Sequence, residues 1–421
     1  MRYYADLHIH SRFSRACSNS INISKLESFA KLKGLGLLGT GDFTHPLWLK
    51  ELKAELAADG TGAFRTKTGF PFLLTSEISN IYTQDGRGRR VHSIMLAPSF
   101  EVVDQINERL LRYGRLDYDG RPIFGFSCVE LMDIVRSVSP DIEVIPAHIW
   151  TPWFSLLGSN SGFDSVEECF GDRSKHIHAL ETGMSSDPAM NWRVSKLDRY
   201  RLVSFSDSHS YWPWRMGREA TAFDLGKLTY GGILKALRDK EAKEFALTLE
   251  VNPEYGKYHF DGHRSCGVSL DPKETKKHGG YCPKCGRPLT IGVLNRVEEL
   301  ADRPEGFRPD GATPFISVLP LSELLAFGLG IDQPASKKVR EEHEKLTKAF
   351  GSELKVLLDA RPEDIAKHTH RKIAELIAKS REGKVRIEPG YDGVYGKPIF
   401  ESREEAEPQQ QRKGQSRLGD F

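Results

Sequence analysis

Hydrophobic and polar positions change their spacing repeatedly along the first 240 residues. Short runs rich in β-branched and aromatic residues, such as YYADLHI, FPFLLTSEI and VHSIMLAP, alternate with amphipathic stretches such as SKLESFAKLKG, PLWLKELKAEL and FEVVDQINERLLRYG. The alternation continues through CVELMDIVRSV, DIEVIPAH and YRLVSFSDS. About seven strand and helix units in succession predict an α/β barrel with a parallel sheet.

The pattern changes after this barrel, which is predicted to span residues 1–240. Residues 250–297 are rich in loops and carry a cysteine cluster, and residues 298–400 are mostly helical and end in the hairpin signal KVRIEPGYDGVYGKPIF. Residues 401–421 are polar and charged, which predicts a flexible tail. The chain is therefore predicted to be a barrel with an appended metal-binding module and a C-terminal helical region.

The overall charge does not mark the chain as a general binder of polyanions. Lys and Arg number 60 and Asp and Glu number 58, so the net charge is +2 and any nucleic-acid surface must be a local patch. No run of about 18 apolar residues occurs. The start MRYYADLHIHS lacks the basic and apolar regions of a signal peptide. We expect a soluble, cytoplasmic protein with no membrane partner.

Imidazole and carboxylate groups recur at or just after the predicted strands. His8 and His10 are two residues apart and share one face of the first strand, and Asp207 and His209 repeat this spacing after RLVSF. One such histidine could be an ordinary core or surface residue. The whole set predicts a metal centre, because ions would satisfy all of these groups at once. The predicted ligands are His8, His10, Asp42, Glu77, His92, His148, Asp207 and His209.

This metal centre predicts hydrolysis of a phosphoester by water that bridging ions activate. His8, His10, Asp207 and His209 are the predicted catalytic core. Barrel enzymes place their chemistry at the carboxyl ends of the strands, where these residues lie. Mixed nitrogen and oxygen ligands favour Zn, Mn or Fe(II) over Mg or Ca alone.

The same residues carry a family resemblance. DLHIHSRFS, TGD at 40–42, SEI around Glu77, PAH at 146–148 and SDSH at 206–209 resemble the motifs of the polymerase and histidinol phosphatase (PHP) family. The resemblance implies a distorted (βα)7 barrel that holds two or three divalent ions (Zn, Mn or Mg) on the ligands named above. Two departures from the family pattern concern whether a third metal ion is bound. Arg15 and Cys17 stand where many relatives have a further histidine, and Asp42 replaces the usual histidine of the second motif.

A second metal site is predicted from the cysteines. Six cysteines in 421 residues, three of them isolated, do not form a disulfide framework. His263, Cys266, Cys282 and Cys285 have the spacing of a zinc ribbon in which imidazole replaces one thiolate. His259 and His278 are alternative fourth ligands. A closed four-ligand site predicts a structural zinc.

Both modules together resemble the endonuclease Q family along nearly the whole chain. IPAHIWTPWFSLLGSNSGFDS, KYHFDGHRSCG, CPKCGRPLTIGV, NRVEELADRP and REGKVRIEPGYDGVYGK carry this resemblance. It implies a DNA repair endonuclease that cuts 5′ of deaminated bases (uracil, hypoxanthine, xanthine) and of abasic sites, leaving a 3′-hydroxyl and a 5′-phosphate. The competing hypotheses are a PHP-type small-molecule phosphatase and a DNA-binding module with a degenerate barrel.

Basic and aromatic residues near the ligands are candidates for DNA contacts. Arginines could bind phosphate oxygens, tryptophans could stack on unpaired bases, and Asn191 could donate a hydrogen bond to a damaged base. The alternatives are solvated charges and tryptophans that only pack loops. The candidates are Arg87, Arg89, Arg90, Arg215, Arg218, Trp150, Trp192 and Asn191.

The tail suggests one protein partner. Gln415, Leu418 and Phe421 follow the order Q-x-x-L-x-x-F, which is similar to a motif that binds the sliding clamp PCNA. Such motifs usually end in two aromatic residues, whereas this one has a single phenylalanine. The sequence thus predicts damaged DNA and PCNA as partners.

Overall fold

The structure, a computed structural model, describes residues 1–399. The predicted clamp motif at Gln415, Leu418 and Phe421 lies outside these residues. The strands are β1 (Arg2–Asp6), β2 (Leu37–Gly39), β3 (Ala57–Ala58), β4 (Phe64–Arg65), β5 (Pro71–Gln84), β6 (Arg87–Ala97), β7 (Ile123–Phe124), β8 (Glu143–Pro146), β9 (Ala179–Glu181), β10 (Arg201–Val203), β11 (Ala220–Asp224), β12 (Phe245–Glu250), β13 (Asp261–His263), β14 (Val268–Leu270), β15 (Phe315–Ser317), β16 (Arg386–Glu388) and β17 (Lys397–Ile399). The α-helices are α1 (Ile23–Lys33), α2 (Pro46–Glu55), α3 (Phe100–Leu110), α4 (Cys128–Val138), α5 (Val166–Phe170), α6 (Pro188–Asn191), α7 (Tyr230–Arg238), α8 (Pro272–Lys277), α9 (Val293–Leu300), α10 (Leu321–Gly328), α11 (Lys337–Phe350), α12 (Pro362–Ile365) and α13 (Arg371–Arg381).

Capping residues set where the helices begin. The Ser127 side chain accepts from Glu130 N, and Glu130 Oε2 accepts from Ser127 N at 2.7 Å, which forms a capping box at the start of α4. Asn22 caps α1, which ends at Gly34 with φ 102°. These local signals allow each helix to form where its apolar face can pack on the sheet.

The main sheet is mixed. Its order is β15-β12-β11-β1-β2-β5-β4-β3, with β6 and β7 also paired to β5 and β8 paired to β6. The pairs β1–β2 and β2–β5 are parallel, whereas β5–β6 and β6–β8 are antiparallel. Residues 71–80 of β5 are all buried, as expected for a strand covered on both faces.

A second, parallel pair, β9–β10, lies against this sheet and completes the wall around the metal centre. On one side Ile149 N, just after β8, donates to Glu181 O at 3.0 Å. On the other side His10 N, just after β1, donates to Ser208 O at 2.9 Å. The ends of β1, β2, β5, β6, β8, β9 and β10 therefore face one central space.

The mixed α/β character is confirmed, but regular alternation of strand and helix is not found. β5 and β6 follow each other directly as a long antiparallel hairpin. Asp85 and Gly86 form its turn with φ 52° and 71°, and such an Asp-Gly turn matches the twist of adjacent strands. β12 and β15 also extend the sheet beyond residue 240, where the barrel was predicted to end.

The C-terminal region is helical, as predicted, and the predicted final hairpin is formed by β16 and β17. A buried ion network joins this region to the barrel. Lys33 at the end of α1 donates to Glu353 Oε1 at 2.7 Å, and His343 Nε2 lies 2.7 Å from Glu353 Oε2. No helix within residues 1–399 is long and apolar enough to cross a membrane.

Candidate metal centre

Strands and the loops that follow them bring the histidines and carboxylates to one place. His8 and His10 follow β1, His148 follows β8 and Asp207 follows β10, while Glu77 lies within β5. Asp42, His148 and Asp207 have left-handed backbones, with φ 48°, 30° and 47°. A non-glycine residue rarely adopts this conformation unless its surroundings impose it, and it is enriched at functional sites.

One cluster comprises His8, His10, Glu77 and Asp207, whose ligand atoms lie within 4.8 Å of one another. His10 Nε2 is 3.1 Å from Asp207 Oδ1 and 3.3 Å from Glu77 Oε2. His8 Nε2 is 3.5 Å from Glu77 Oε2 and 3.6 Å from Asp207 Oδ1. Four converging donors of this kind can hold one divalent ion.

A second cluster comprises Glu77, His92 and His148. Glu77 Oε1 is 2.8 Å from His92 Nδ1 and 3.4 Å from His148 Nε2. Glu77 therefore turns one carboxylate oxygen to each cluster. A carboxylate in this position can bridge two ions, the arrangement found in two-metal hydrolytic sites.

Outer carboxylates hold the first two histidines in place. His8 Nδ1 lies 3.0 Å from Glu181 Oε1, and Glu181 Oε2 also accepts from His148 N at 2.7 Å. His10 Nδ1 lies 3.0 Å from Asp42 Oδ1. A carboxylate on one imidazole nitrogen orients the ring and leaves the other nitrogen free to bind metal. Asp42 thus supports His10 and is not in either cluster of donors, and neither is His209, whose Nδ1 is 3.1 Å from Asp207 O.

The donors fit divalent ions on a further ground. His8 Nε2, Glu77 Oε1 and His92 Nδ1 are buried and make no hydrogen bond within the described residues, since the 2.8 Å contact between Glu77 Oε1 and His92 Nδ1 lacks hydrogen-bond geometry. Burial alone would raise the pKa of Glu77, but His92, Arg121 and His8 hold it well below its usual range, so Glu77 is anionic. Buried unpaired donors of this kind are costly unless an ion satisfies them.

A cavity of about 390 Å³ opens directly onto the two clusters. Its polar wall includes Arg121, whose Nη1 donates to Glu77 Oε2 at 2.9 Å. The carboxylates of Glu77 and Asp207 raise the pKa of Arg121, although burial opposes them, and the guanidinium is cationic. The lining is His92, Arg121, His148, Thr151, Trp153, Phe154, Glu181, Gly183, Met184, Ser185, Phe205, Ser206, Asp207, His209, Arg218, Lys257, Tyr258 and Tyr395.

Two of these functional side chains were not predicted from the sequence. Glu181 ends β9 after HIHAL, and a carboxylate at the end of an apolar strand is the signal that could have found it. Arg121 follows the turn at Asp119 and Gly120, far from any predicted ligand in sequence, and nothing local marked it.

The arginines before His92 have different surroundings from one another. They lie on β6, where alternate residues face opposite sides, so Arg90 shares the face of His92 and Arg87 and Arg89 do not. The Arg89 guanidinium lies 4.0 Å from the centre of the Phe163 ring and donates to Gly162 O. Arg89 therefore makes its contacts within the protein, and its predicted phosphate contact stays a prediction. Arg90 lies 5.6 Å above Phe154, which lines the cavity.

Asn191 and Trp150 do not reach the cavity either. Trp150 is 1 % exposed and its Nε1 donates to Asn191 Oδ1 at 2.8 Å, while Asn191 Nδ2 donates to Asp187 O at 2.8 Å. With its amide engaged inside the protein, Asn191 has no group available for a base. Trp192 lines a different cavity beside Asn191 and packs on Phe315. In the protein without DNA, Trp150 and Asn191 are engaged with each other and Trp192 is partly buried against Phe315. Their contacts with DNA stay a prediction.

Two predicted arginines lie at or beside the cavity. Arg218 lines it and donates to Ser206 O from Nε at 3.3 Å and from Nη2 at 3.0 Å. Arg215 lies 5.5 Å from the ring centre of Tyr395, which is a lining residue. Both cations are therefore placed on the side of the cavity formed by the C-terminal hairpin.

The cysteine cluster forms a separate four-ligand group. His263, Cys266, Cys282 and Cys285 bring their ligand atoms within 4.8 Å of one another, and Cys285 Sγ is 3.5 Å from His263 Nδ1. Cys282 N donates to Arg287 O at 2.7 Å and Gly286 N donates to Cys282 O at 2.8 Å, which closes a tight turn around the CPKCG sequence. The alternatives His259 and His278 are not in the group.

Known proteins match both the C-terminal region and most of the chain. The family model described as the MJ0043 C-terminal domain matches residues 320–384. The uncharacterized protein MJ0043 of Methanocaldococcus jannaschii is 33 % identical over 302 residues, which are 69 % of this chain. This chain spans only 35 % of that relative's length. The uncharacterized protein YqxK of Bacillus subtilis is 30 % identical over 413 residues, which cover 94 % of this chain and 99 % of YqxK.

Two solved structures are similar over nearly the whole chain. The lesion-specific endonuclease PfuEndoQ of Pyrococcus furiosus superposes with a TM-score of 0.86 and 32 % identity, covering 97 % of this chain and 98 % of PfuEndoQ. Endonuclease Q in complex with a 27-mer duplex that has an abasic lesion at the active site gives the same TM-score and identity, covering 96 % and 98 % of the two chains. The match includes the barrel, the cysteine cluster and the helical region, and the chain therefore belongs to the endonuclease Q family.

Proposed function

We propose that this protein is a metal-dependent DNA repair endonuclease that cuts the phosphodiester 5′ of deaminated bases and abasic sites. One observation carries the proposal: two donor clusters share Glu77 at the floor of a cavity, in a chain that matches a lesion-specific endonuclease from end to end. The deaminated bases are uracil, hypoxanthine and xanthine, and the products carry a 3′-hydroxyl and a 5′-phosphate.

The residues of the centre have separate roles in this reaction. His8, His10, Asp207, His92 and His148 would hold two divalent ions, with Glu77 shared between them. Bound ions would supply a nucleophilic water at neutral pH and neutralise charge on the phosphate. Zn, Mn and Mg are the candidate ions.

Other side chains would prepare the site for the substrate. Glu181 and Asp42 hold the rings of His8 and His10, and precise ligand orientation preserves the ion positions during the reaction. Arg121 and Arg218 would contact the non-bridging phosphate oxygens, since their guanidinium groups line the cavity. His209 would exchange a proton with the leaving oxygen, because it lines the cavity beside Asp207.

The cavity also supports a nucleotide as the substrate. Its volume of about 390 Å³ is in the range of small-molecule sites, and the aromatic rings of Trp153, Phe154, Tyr258 and Tyr395 line it. A damaged base turned out of the duplex could be held between such rings. Two of these rings come from outside the predicted barrel, so the appended regions help to form the site.

We assign the His263, Cys266, Cys282 and Cys285 group to a structural zinc. Three thiolates and one imidazole are ligands that zinc prefers, and four protein ligands leave no position open for a substrate. Tyr258 and Lys257 lie a few residues before this group and line the cavity, so the zinc would fix the module that completes it.

The proposal is tested with a labelled duplex that contains one uracil, beside an undamaged duplex, in Mg²⁺, in Mn²⁺ and in EDTA. We expect incision 5′ of the uracil that requires the metal and is lost in His8→Ala and in Asp207→Ala. His370→Ala is the matched control, because His370 is exposed and has no side-chain cap bond at the start of α13. Intact DNA together with release of phosphate from small phosphate esters would instead favour the small-molecule phosphatase.

A further inference from the structure

Large apolar side chains are exposed on one segment beside the metal centre. This is the α3–β7 segment, residues 111–123. Leu111, Tyr113, Tyr118 and Ile123 are 59 %, 57 %, 41 % and 39 % exposed. They are four of the eight large apolar side chains that residues 1–399 leave exposed. Such a concentration is typical of an interaction site, since exposed apolar residues are usually scattered.

The C-terminal part of this segment, Gly120 and Arg121, is fixed against the metal centre. Arg121 Nη1 donates to Glu77 Oε2 at 2.9 Å, and Gly120 N donates to Phe13 O at 3.1 Å. A β-carbon at Gly120 would lie 2.2 Å from Asp42 Oδ2, so only glycine allows this close approach. Leu111 and Tyr113 are ten and eight residues before Arg121 in the chain, so the exposed end extends from this fixed point in the cavity wall.

The exposed end is held rigidly. Leu116 is 4 % exposed and anchors the segment in the core. The Tyr118 hydroxyl accepts from Ile123 N at 2.6 Å. The Tyr113 ring contacts Phe126 edge to face, with centroids 5.1 Å apart, and Phe126 stacks on Phe124 at 4.8 Å. A side chain presented in this way loses little conformational entropy when it contacts a partner.

Two exposed arginines beside these side chains can bind the phosphates of a partner. Arg112 and Arg115 are 60 % and 76 % exposed and pair only with exposed carboxylates, Glu108 at 3.5 Å and Asp117 at 2.9 Å. Pairs of this kind contribute little in water and can be exchanged for phosphate contacts. Arginines beside exposed apolar and aromatic groups fit a nucleic acid, which offers phosphates and stacked bases together.

We propose that the α3–β7 segment enters duplex DNA beside the lesion. Leu111 and Tyr113 would fill the space in the base stack that the damaged nucleotide leaves when it moves into the cavity. This inference rests on the proposed function. Apolar side chains inserted between bases compensate for the lost stacking, and Leu111 and Tyr113 would thereby lower the cost of extruding the nucleotide.

The test compares one lesion strand in duplex and in single-stranded form. In Leu111→Ser/Tyr113→Ser we expect incision of the uracil duplex to slow by about tenfold or more, because extrusion from a duplex costs a few kcal/mol. Incision of the single strand should stay within about twofold of the wild type, because it needs no extrusion. Leu111→Met/Tyr113→Phe should restore the duplex rate.

Tyr281→Ser is the matched control, since Tyr281 is 55 % exposed but belongs to the cysteine module. It should leave both rates unchanged. A double variant that slows equally on both substrates, or on neither, overturns the inference while incision by the wild type still supports the proposed function. A wild type that cuts neither substrate overturns the proposed function itself.

Discussion

The network of Lys33, Glu353 and His343 gives the sharpest stability prediction. All three side chains are buried, and Glu353 is 0 % exposed. Glu353 accepts from Lys33 at 2.7 Å through Oε1, and its Oε2 lies 2.7 Å from His343 Nε2. The change is Glu353→Gln, which keeps the shape of the side chain and removes its charge. The Lys33 ammonium would then be buried without a charged partner and would have only neutral acceptors, among them Pro213 O at 2.8 Å.

Two independent estimates give the size of the effect. Burial by itself would raise the pKa of Glu353, but Lys33 and His343 outweigh it and lower the pKa from 4.5 to about 2. At about 1.4 kcal/mol for each pH unit, this corresponds to about 3 kcal/mol of stability. Removing one partner of a buried ion pair costs about 3–5 kcal/mol. We therefore expect Glu353→Gln to lower the free energy of unfolding by about 3 kcal/mol at pH 7.

The measurement is urea unfolding followed by the fluorescence of the six tryptophans, which include Trp212 and Trp214 on either side of Pro213. Because the pKa of Glu353 is lower in the folded protein, its contribution is complete above pH 4.5 and is lost as the pH falls towards 2. The difference between wild type and Glu353→Gln should shrink accordingly. Glu341→Gln is the control, since Glu341 is 62 % exposed and lies 3.7 Å from Lys337. A loss below about 1 kcal/mol, or a loss of the same size in a Lys33→Met background, would refute the reasoning.

Three further predictions concern the two metal groups and Glu250, a buried carboxylate at the end of β12. Glu77→Gln should reduce the metal content of the barrel from two ions towards one and lower the rate of incision by at least about a hundredfold, because the shared ligand loses its charge. An unchanged number of bound ions per chain after dialysis would contradict this. Cys282→Ser should lose the metal of the cysteine group and make that module sensitive to protease, while the barrel keeps its ions. The number of zinc and other metal ions bound per chain, measured for wild type and variant, tests this. Burial raises the pKa of Glu250 from 4.5 to about 8. Its contribution to stability is therefore complete below pH 4.5 and is lost progressively as the pH rises from 4.5 to about 8. Glu250→Gln should flatten the fall in the urea unfolding midpoint over this range, and parallel pH profiles of variant and wild type would exclude Glu250 as the cause.

The donors of the metal centre could be predicted because they obey local rules. His8 and His10 alternate on one strand, and His148 and Asp207 follow apolar runs that end at the same edge of the structure. The cysteine group could be predicted because its ligands are closely spaced in the sequence. In both cases the spacing in the sequence was enough to predict most of the residues that the structure brings together, although Asp42 and His209 lie outside the two clusters.

Residues that act through tertiary contacts could not be predicted in this way. Arg121 reaches Glu77 across 44 residues and Glu181 reaches His8 across 173 residues. Asn191 and Trp150 looked like groups for binding a base, but their side chains bond to each other across 41 residues. The antiparallel pairing of β5 and β6 was missed because a parallel sheet was predicted from the alternation of strands and helices, although Asp85 and Gly86 form a tight turn between these two strands. Local spacing does not determine which partner a polar group finds.

The left-handed residues of the centre connect its fold to its chemistry. Asp42, His148 and Asp207 are three of the seven non-glycine residues with positive φ among residues 1–399, and each such residue costs about 1–3 kcal/mol. This conformation is possible only where neighbouring backbone makes room. A β-carbon at Gly183 would lie 2.6 Å from the Cβ of His148, so glycine at 183 allows His148 to turn towards Glu77. The buried carboxylates beneath the histidines then hold their rings. The strained residues and the close glycine contacts occur where the strand ends direct metal-binding side chains to one point. This agreement supports the metal centre as the functional site of this part of the fold.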